Sequence, residues 1–283
     1  MPDNGLSSQT VAQAALSPIE ASKRLAAYTA VDHHVKPEHT IIGIGSGMSL
    51  QSARKNPGIL SRSDYALGST VPYVVERIVQ QGVEANKKRV FIPTGFQSKQ
   101  LIVEASLNLG DVDEYPSIDV TIDGADEVDS NLNCIKGGGA CHLREKVLAE
   151  AAKTFIVVAD YRKNAELLGT NWAPGVPVEV VPFAYAKVLR QLRDVLGSPN
   201  ATLRMAIKKA GPVVTDNGNF VIDAPFDQEK MQDPSKILTQ IKLLTGVVEV
   251  GLFCGLAKAA YFGNQDGTVT VRREDGTTSQ VTA

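Results

Sequence analysis

A group of acidic residues close to one lysine marks the part of the sequence best suited to chemistry. The acids Asp123, Asp126, Glu127 and Asp129 stand within seven residues, and Lys136 and Glu145 follow. Carboxylates crowded beside a lysine are expected to have pKa values that are pushed apart. Such a difference supplies both an acid and a base near neutral pH, so the segment predicts a site for proton transfer.

Two plainer interpretations of this segment stay open. Each acid taken alone fits an acidic surface loop followed by a glycine hinge. A calcium loop also needs several acids, but Gly124 and Ala125 stand where alternate oxygen ligands would be required. The acids have no histidine or cysteine partners at ligand spacing, so we predict no metal site.

The surrounding residues predict how these groups are held. Residues 118–122 alternate apolar and polar, which is typical of a strand, and Asp123 with Gly124 ends it. The three glycines after Lys136 can adopt positive φ and expose backbone N–H groups to a ligand. Apolar residues at helical spacing then predict a helix over residues 141–153, with Glu145 in its first turn.

A second glycine-rich turn follows the apolar strand predicted at residues 40–44. Strand, glycine turn and helix together form a phosphate cradle, in which N–H groups and a helix dipole face the anion. As a dinucleotide fingerprint the turn is weak, because its third glycine is out of place and no acid ends a clear second strand. We therefore interpret it as a phosphate seat, and a nucleotide-dependent oxidoreductase stays an alternative that a cofactor-binding measurement would exclude.

The order of elements predicts the α/β class. Strands alternate with helices up to about residue 175, which implies a Rossmann-like parallel sheet with its ligand crevice at the carboxyl ends of the strands. From Val178 the pattern changes to a smaller, ferredoxin-like α+β unit. We predict a flexible tail at 1–18, a catalytic domain at 19–175 plus 246–283, and an inserted smaller domain at 176–245. The last eight residues are polar and are expected to fray.

Composition narrows the class of protein. The 283 residues are 43% hydrophobic and 21% charged, with a net charge of −2. This balance argues against nucleic acid or an anionic membrane as a partner. No stretch approaches the roughly 20 apolar residues needed to cross a bilayer. The three cysteines are too few and scattered for a disulfide scaffold, and we expect a cytoplasmic protein.

Several ordered motifs resemble those of ribose-5-phosphate isomerase, type A. They begin with Asp-Gly-Ala-Asp-Glu-Val-Asp at 123–129, Lys-Gly-Gly-Gly-Ala at 136–140 and Arg-Glu-Lys at 144–146. Further matches are Ile-Pro-Thr-Gly-Phe-Gln-Ser at 92–98, Val-Val-Ala-Asp-Tyr-Arg-Lys at 157–163, Pro-Val-Glu-Val-Val-Pro-Phe at 177–183, Thr-Asp-Asn-Gly-Asn-Phe at 215–220 and Gly-Val-Val-Glu-Val-Gly-Leu-Phe at 246–253.

The resemblance implies reversible conversion of D-ribose 5-phosphate into D-ribulose 5-phosphate through an enediolate, in the non-oxidative pentose phosphate pathway. It implies Glu145 as proton shuttle, Asp123 and Asp126 for ring opening and sugar hydroxyls, and Lys136 for the enediolate charge. No cofactor is expected, and members commonly form homodimers or homotetramers. The remaining substrate-binding residues that it implies are Lys23, Gly45, Ser46, Gly47, Ser69, Thr70, Thr94, Gly137, Gly138, Gly139, Asp160 and Lys163.

Residues 48–68 depart from the family pattern. The family runs from the glycine turn straight into Ser-Thr-Val, whereas here a largely polar segment of 21 residues separates Gly47 from Ser69. They are either a surface excursion or a retained intron in the gene model. We favour the intron, because an insertion at this point splits N–H groups that must converge on one anion. Sequencing the transcript decides between the two.

One further class stays open, a sugar-phosphate sensor that binds a similar ligand without turnover. Such regulators are related to this fold but normally carry a DNA-binding helix pair, and none is evident in residues 1–40. Fold alone does not choose between sensor and enzyme. A coupled assay for ribulose 5-phosphate separates them.

Overall fold

The structure is a computed structural model, and it describes residues 16–46 and 69–282. Most of the predicted tail, Gly47 and the segment 48–68 lie outside the described residues. The strands are β1 Ile41–Ile44, β2 Val90–Pro93, β3 Ile118–Asp123, β4 Glu127–Val128, β5 Cys134–Ile135, β6 Ala152–Asp160, β7 Val176–Val180, β8 Thr202–Leu203, β9 Phe220–Ala224, β10 Val247–Val250, β11 Leu252–Phe253, β12 Ala257–Gly263, β13 Thr268–Arg273 and β14 Thr278–Thr282. The α-helices are α1 Pro18–His34, α2 Val71–Gln80, α3 Val83–Asn86, α4 Phe96–Glu104, α5 His142–Ala151, α6 Tyr185–Asp194, α7 Gln228–Met231 and α8 Pro234–Lys242.

A seven-stranded sheet of order β14-β13-β12-β6-β3-β1-β2 positions the site. Its five strands from β12 to β2 are parallel, while β13 and β14 add an antiparallel edge. The chain leaves β1 for β2 on one side and later returns as β3 on the other. The carboxyl ends of β1 and β3 therefore flank a topological switch point, where open parallel sheets form their ligand crevice.

Both faces of this sheet are covered, as its apolar strands require. Side chains at alternate positions of each strand point to opposite faces. Ile156 and Val158 share a buried cluster with residues of α1 and α2, whereas Phe155 and Val157 pack with Phe253 on the other face. The parallel α/β class predicted from the sequence is confirmed by this arrangement.

A separate four-stranded antiparallel sheet has the order β10-β7-β9-β8. With α6 and α8 its elements run β-α-β-β-α-β, the ferredoxin-like order. Val247–Val250 was expected to return to the first domain, but this strand, β10, pairs with β7 instead. A four-stranded unit of this order needs its fourth strand beside its first, so the smaller unit extends past residue 246. A third, three-stranded sheet joins β11, β5 and β4.

Two local predictions differ from the structure. The polar residues at the carboxyl terminus were expected to fray, but residues 278–282 form strand β14, which pairs along its length with β13. The sequence pattern predicts a helix over residues 100–109, whereas helix α4 begins at Phe96 and ends at Glu104. Ser98 Oγ accepts a hydrogen bond from the N–H of Gly95 and stabilises that early start, and Leu109 has already joined the sheet beside Phe91. Among the described helices, none is long and apolar enough to span a bilayer.

Candidate active site

Lys136 is the centre of a buried charged cluster. Its Nζ lies 3.0 Å from Asp123 Oδ2 and 3.3 Å from Glu145 Oε2, and it donates a hydrogen bond to the carbonyl of Gly124. Asp123 ends β3 at the switch point, and Glu145 lies in the first turn of α5. The structure thus brings together a carboxylate from a strand, a lysine from a loop and a glutamate from a helix.

Two carboxylate oxygens in this cluster keep capacity for a ligand. Asp123 Oδ2 and Glu145 Oε2 are buried, and neither makes a well-aligned hydrogen bond although both lie near Lys136. The other oxygen of Asp123 accepts N–H bonds from Gly124 and Ser46. Each of the two buried oxygens is paired with the Lys136 ammonium, and its remaining lone pair can accept a further hydrogen bond from a ligand hydroxyl.

The glycine loop after Lys136 holds the second acid. The N–H of Gly138 donates to Asp126 Oδ2 at 2.7 Å. Gly137 adopts φ of +103°, a conformation that favours glycine, and a Cβ there would press on the ring of His142. Arg204, at the end of β8, donates to the carbonyls of Gly137 and Gly138 at 2.9 and 3.0 Å. The smaller sheet therefore supports this glycine loop directly.

A group of hydroxyls lies at the end of β1. Ser46 Oγ and Thr94 Oγ1 share a hydrogen bond of 2.9 Å, and Ser69 Oγ donates to the carbonyl of Ser46 at 3.0 Å. Thr70 follows Ser69 at the start of α2. Because α2 begins here, its dipole adds a partial positive charge beside these hydroxyls, which suits an anion.

The end of β6 contributes further charge. Asp160 is held by two hydrogen bonds from the Arg162 guanidinium, at 2.7 and 2.9 Å. Burial raises the pKa of Asp160, but Arg162 outweighs burial and the net shift is downward. Lys163 comes next, and its Nζ lies 5.0 Å from the centroid of the Trp172 ring.

Burial separates the pKa values of the central groups. It raises the pKa of Glu145 to about 8, against the opposing effect of Lys136, and it also raises the pKa of Asp123 and of Asp126. Burial alone would lower the pKa of Lys136, yet the nearby carboxylates, Asp123 first, shift it above its ordinary value. A permanently charged ammonium beside a glutamate that titrates near neutral pH is the pairing that proton transfer needs.

These groups enclose a cavity of about 300 Å³. Of the predicted site residues, those that line it are Ser46, Ser69, Thr70, Asp123, Asp126, Lys136, Gly137, Gly138, Glu145, Asp160 and Lys163. Among the described residues, no group of three or more histidines, cysteines or acids is arranged to hold a metal ion.

Other predicted site residues lie outside this lining. Lys23 is 1% exposed and its Nζ pairs with Glu20 Oε1 at 2.8 Å, so its charge is used within α1. Thr94 supports Ser46 from behind, and Gly45 lies against Asp123, where a Cβ would overlap the carboxyl group. Gly139 is exposed beside the lining. Gly47 lies outside the described residues.

Six of the described lining residues have no role in the sequence-based prediction, and four of them, Gly124, Ala125, Val158 and Ala159, have no polar or aromatic side chain. Arg162 and Trp172 both face the cavity. Arg162 stands between the predicted residues Asp160 and Lys163 at the end of a strand, and this position was the available signal. Trp172 gave none, because a tryptophan followed closely by two prolines, Pro174 and Pro177, is typical of a boundary between elements.

The fold and this site define an α/β protein with a buried cluster of acids around one lysine, and a neighbouring group of hydroxyls, at the switch point of a parallel sheet. The family model described as ribose 5-phosphate isomerase A (phosphoriboisomerase A) matches residues 90–267. This chain belongs to that family.

Relatives from fungi are similar over most of the chain. The ribose-5-phosphate isomerase of Mycosarcoma maydis is 65% identical over 263 residues, covering 93% of this chain and 84% of that protein. The one from Cryptococcus neoformans is 63% identical over 273 residues, covering 94% of this chain and 83% of that protein.

Solved structures agree with the fold. Ribose 5-phosphate isomerase A from Methanocaldococcus jannaschii has a TM-score of 0.74 at 32% identity, covering 90% of this chain and 99% of that chain. A D-ribose-5-phosphate isomerase in complex with phospho-erythronic acid has a TM-score of 0.74 at 33% identity, with the same coverage.

Proposed function

We propose that this chain interconverts D-ribose 5-phosphate and D-ribulose 5-phosphate with Glu145 as the group that moves the proton between C2 and C1. The observation that carries these roles is the position of Lys136 Nζ, 3.0 Å from Asp123 and 3.3 Å from Glu145. A base and a cation held this close can act on adjacent atoms of one small sugar.

The chemistry follows from these positions. Asp123 and Asp126 assist opening of the furanose ring, which frees the C1 aldehyde. The Glu145 carboxylate then removes the proton from C2, and the electron pair forms a C1–C2 double bond while negative charge develops on O1. Lys136 stabilises that charge. Glu145 returns its proton to C1 while the proton of O2 passes to O1, so C2–O2 becomes the ketone and O1 the hydroxyl of ribulose 5-phosphate.

The phosphate end is assigned to the opposite side of the cavity. Hydroxyls of Ser46, Ser69 and Thr70 and the ammonium of Lys163 face the same space. Hydroxyl donors, a helix start and a lysine are the groups that bind phosphate in many proteins. Because the phosphate is fixed here, the C1–C2 end of the sugar is directed toward Glu145.

A coupled assay tests this function. Ribose 5-phosphate is supplied and ribulose 5-phosphate is detected with a second enzyme, using wild type and Glu145→Gln. We expect turnover by wild type and nearly none by the variant. Binding of the sugar phosphate without turnover by wild type would instead support the sensor alternative.

We also propose that the chain forms a homodimer or homotetramer in the cytoplasm. Phe183 is 102% and Leu243 79% exposed, and both belong to the smaller unit. Apolar side chains this exposed favour contact with another surface. The test is to measure the oligomeric state of wild type and Phe183→Ser by sedimentation. The same oligomeric state in both would show that Phe183 does not contribute to the interface. The three free cysteines fit a reducing compartment.

A further inference from the structure

Lys163 is held at the cavity wall in an unusual way. Its Nζ lies 5.0 Å from the centroid of the Trp172 indole ring. Within residues 16–46 and 69–282, no carboxylate forms an ion pair with it, whereas neighbouring Arg162 is paired with Asp160. An indole attracts an ammonium through its π electrons without adding a negative charge. The indole therefore orients the Lys163 ammonium without neutralising it, and the carboxylate that this ammonium acts on, Asp126, lies beyond ion-pair distance.

Trp172 is itself fixed in place. Its Nε1 donates to the carbonyl of Gly175 at 3.1 Å, and its ring packs against the core of the smaller unit. One face of the ring thus belongs to a buried core, while the residue also lines the cavity that contains Lys163. The indole has little freedom to move away from the ammonium.

The loop that leads to Trp172 is anchored by Glu127. This side chain is fully buried and accepts hydrogen bonds from the N–H groups of Gly169, Thr170 and Asn171 at 2.5, 3.0 and 2.5 Å. The Thr170 hydroxyl donates to it as well, at 3.0 Å. Glu127 belongs to the acidic segment 123–129, so the segment that supplies Asp123 and Asp126 also fixes the loop carrying Trp172.

We propose that Trp172 is a positioning residue that directs the Lys163 ammonium toward the substrate phosphate while leaving its charge uncompensated. The proposal rests on the function proposed above, in which Lys163 binds that phosphate. It predicts that the electrons of the indole ring, and not only its shape, determine affinity for a phosphate.

Fluorinated tryptophan provides the sharpest test. Trp172 is the only tryptophan of the chain, so biosynthetic labelling changes a single site. Each added fluorine weakens the π face and leaves the ring shape nearly unchanged. We expect the KM for ribose 5-phosphate to rise stepwise, by about 3- to 10-fold for the most fluorinated ring, with kcat within about twofold. A KM independent of fluorination would overturn the proposal.

A double-mutant cycle separates positioning from structure. Labelling, or Trp172→Leu, is combined with Lys163→Met. If Trp172 acts through Lys163, neither change raises the KM further in the Lys163→Met background. With Lys163 present, Trp172→Phe retains a ring and should restore part of the affinity that Trp172→Leu loses. An equal rise in KM in both backgrounds would show a merely structural role and reject the proposal.

Inorganic phosphate keeps this test independent of turnover. Its dissociation constant is measured by calorimetry for wild type, labelled protein and Lys163→Met. If wild type binds phosphate but does not convert ribose 5-phosphate, the proposed function fails while the Trp172–Lys163 coupling is still measured. If neither Lys163→Met nor fluorination changes the dissociation constant for phosphate, the inference is wrong, and the proposed function is not affected.

Discussion

At the scale of single residues, the acidic segment contains side chains with very different tasks. Asp123 lines the cavity with its Oδ2 paired to Lys136, whereas the carboxylate of Glu127 accepts hydrogen bonds from the backbone N–H groups of residues 169–171. Sequence spacing placed both acids in one candidate cluster. It could not separate them, because the donors that occupy Glu127 come from a loop some forty residues later in the chain.

Glu145→Gln is the first prediction at this scale. The variant keeps the shape of the side chain but cannot take a proton, so we expect turnover to fall by about a hundred- to ten-thousand-fold. The matched control is Glu150→Gln, an exposed glutamate on the same helix, which should leave turnover unchanged. The coupled assay measures both, and near-normal turnover by Glu145→Gln would remove it as the shuttle.

The same substitution changes how stability depends on pH. The pKa of Glu145 is raised from 4.5 to about 8 in the folded chain, so the stability that this group contributes is fully present below pH 4.5 and is lost as pH rises toward 8. Glutamine does not titrate. We therefore expect the Tm of Glu145→Gln minus the Tm of wild type to increase from pH 5 to pH 8. A Tm difference that stays constant over this range, measured by calorimetry, would contradict the raised pKa.

Catalysis should depend on the same titration. The free enzyme needs Glu145 as a carboxylate, so we expect kcat/KM to rise with pH with an apparent pKa well above that of an ordinary glutamate. Asp123, Lys136 and Glu145 interact closely, so the measured value belongs to the cluster. A pH–rate profile already flat from pH 5 upward would argue against this cluster as the acid–base centre.

At the scale of elements, strand ends were the part that the sequence predicted best. Asp123 and Asp160 end β3 and β6, and parallel strands place their carboxyl ends on one edge. The sheet to which Val247–Val250 belongs was not predictable from its apolar residues alone. Either sheet could have paired with this strand, and its partnership with β7 depends on the tertiary contacts of α8 and β7.

Arg204 is the element-scale prediction. It ties β8 to the carbonyls of Gly137 and Gly138, so Arg204→Leu should let the loop shift and lower kcat/KM by about tenfold or more, since small misplacements of catalytic groups are costly. Arg193→Leu is the control, because Arg193 also donates two hydrogen bonds to a backbone carbonyl, but that carbonyl belongs to Ala201 and not to the glycine loop. Equal losses in both variants would point to general destabilisation.

At the scale of the whole molecule, Ser46 and Ser69 lie in contact although residues 47–68 separate them in the sequence. Ser69 Oγ donates to the carbonyl of Ser46 at 3.0 Å, so the described residues on either side of the segment already meet. Joining Gly47 to Ser69 leaves one residue to span that contact, which is within reach of the backbone. The prediction that this segment is a retained intron stays open.

Deleting residues 48–68 is the prediction at this scale. We expect the shortened chain to fold, to keep the Tm of the full chain or exceed it, and to bind phosphate at least as tightly. The readouts are calorimetry, the KM for ribose 5-phosphate and the sequence of the transcript. Loss of folding or of phosphate affinity on deletion would show that the segment is part of the working protein.

The bond from Arg204 to the glycine loop also has a consequence for heat inactivation. The glycine loop belongs to the proposed active site. Arg204, which holds this loop, is paired with Asp223 on the small four-stranded sheet. If the four-stranded sheet unfolds first on warming, the enzyme loses activity while the seven-stranded sheet is still folded. Activity lost below the main calorimetric transition, and regained on cooling, would be the signature of this arrangement.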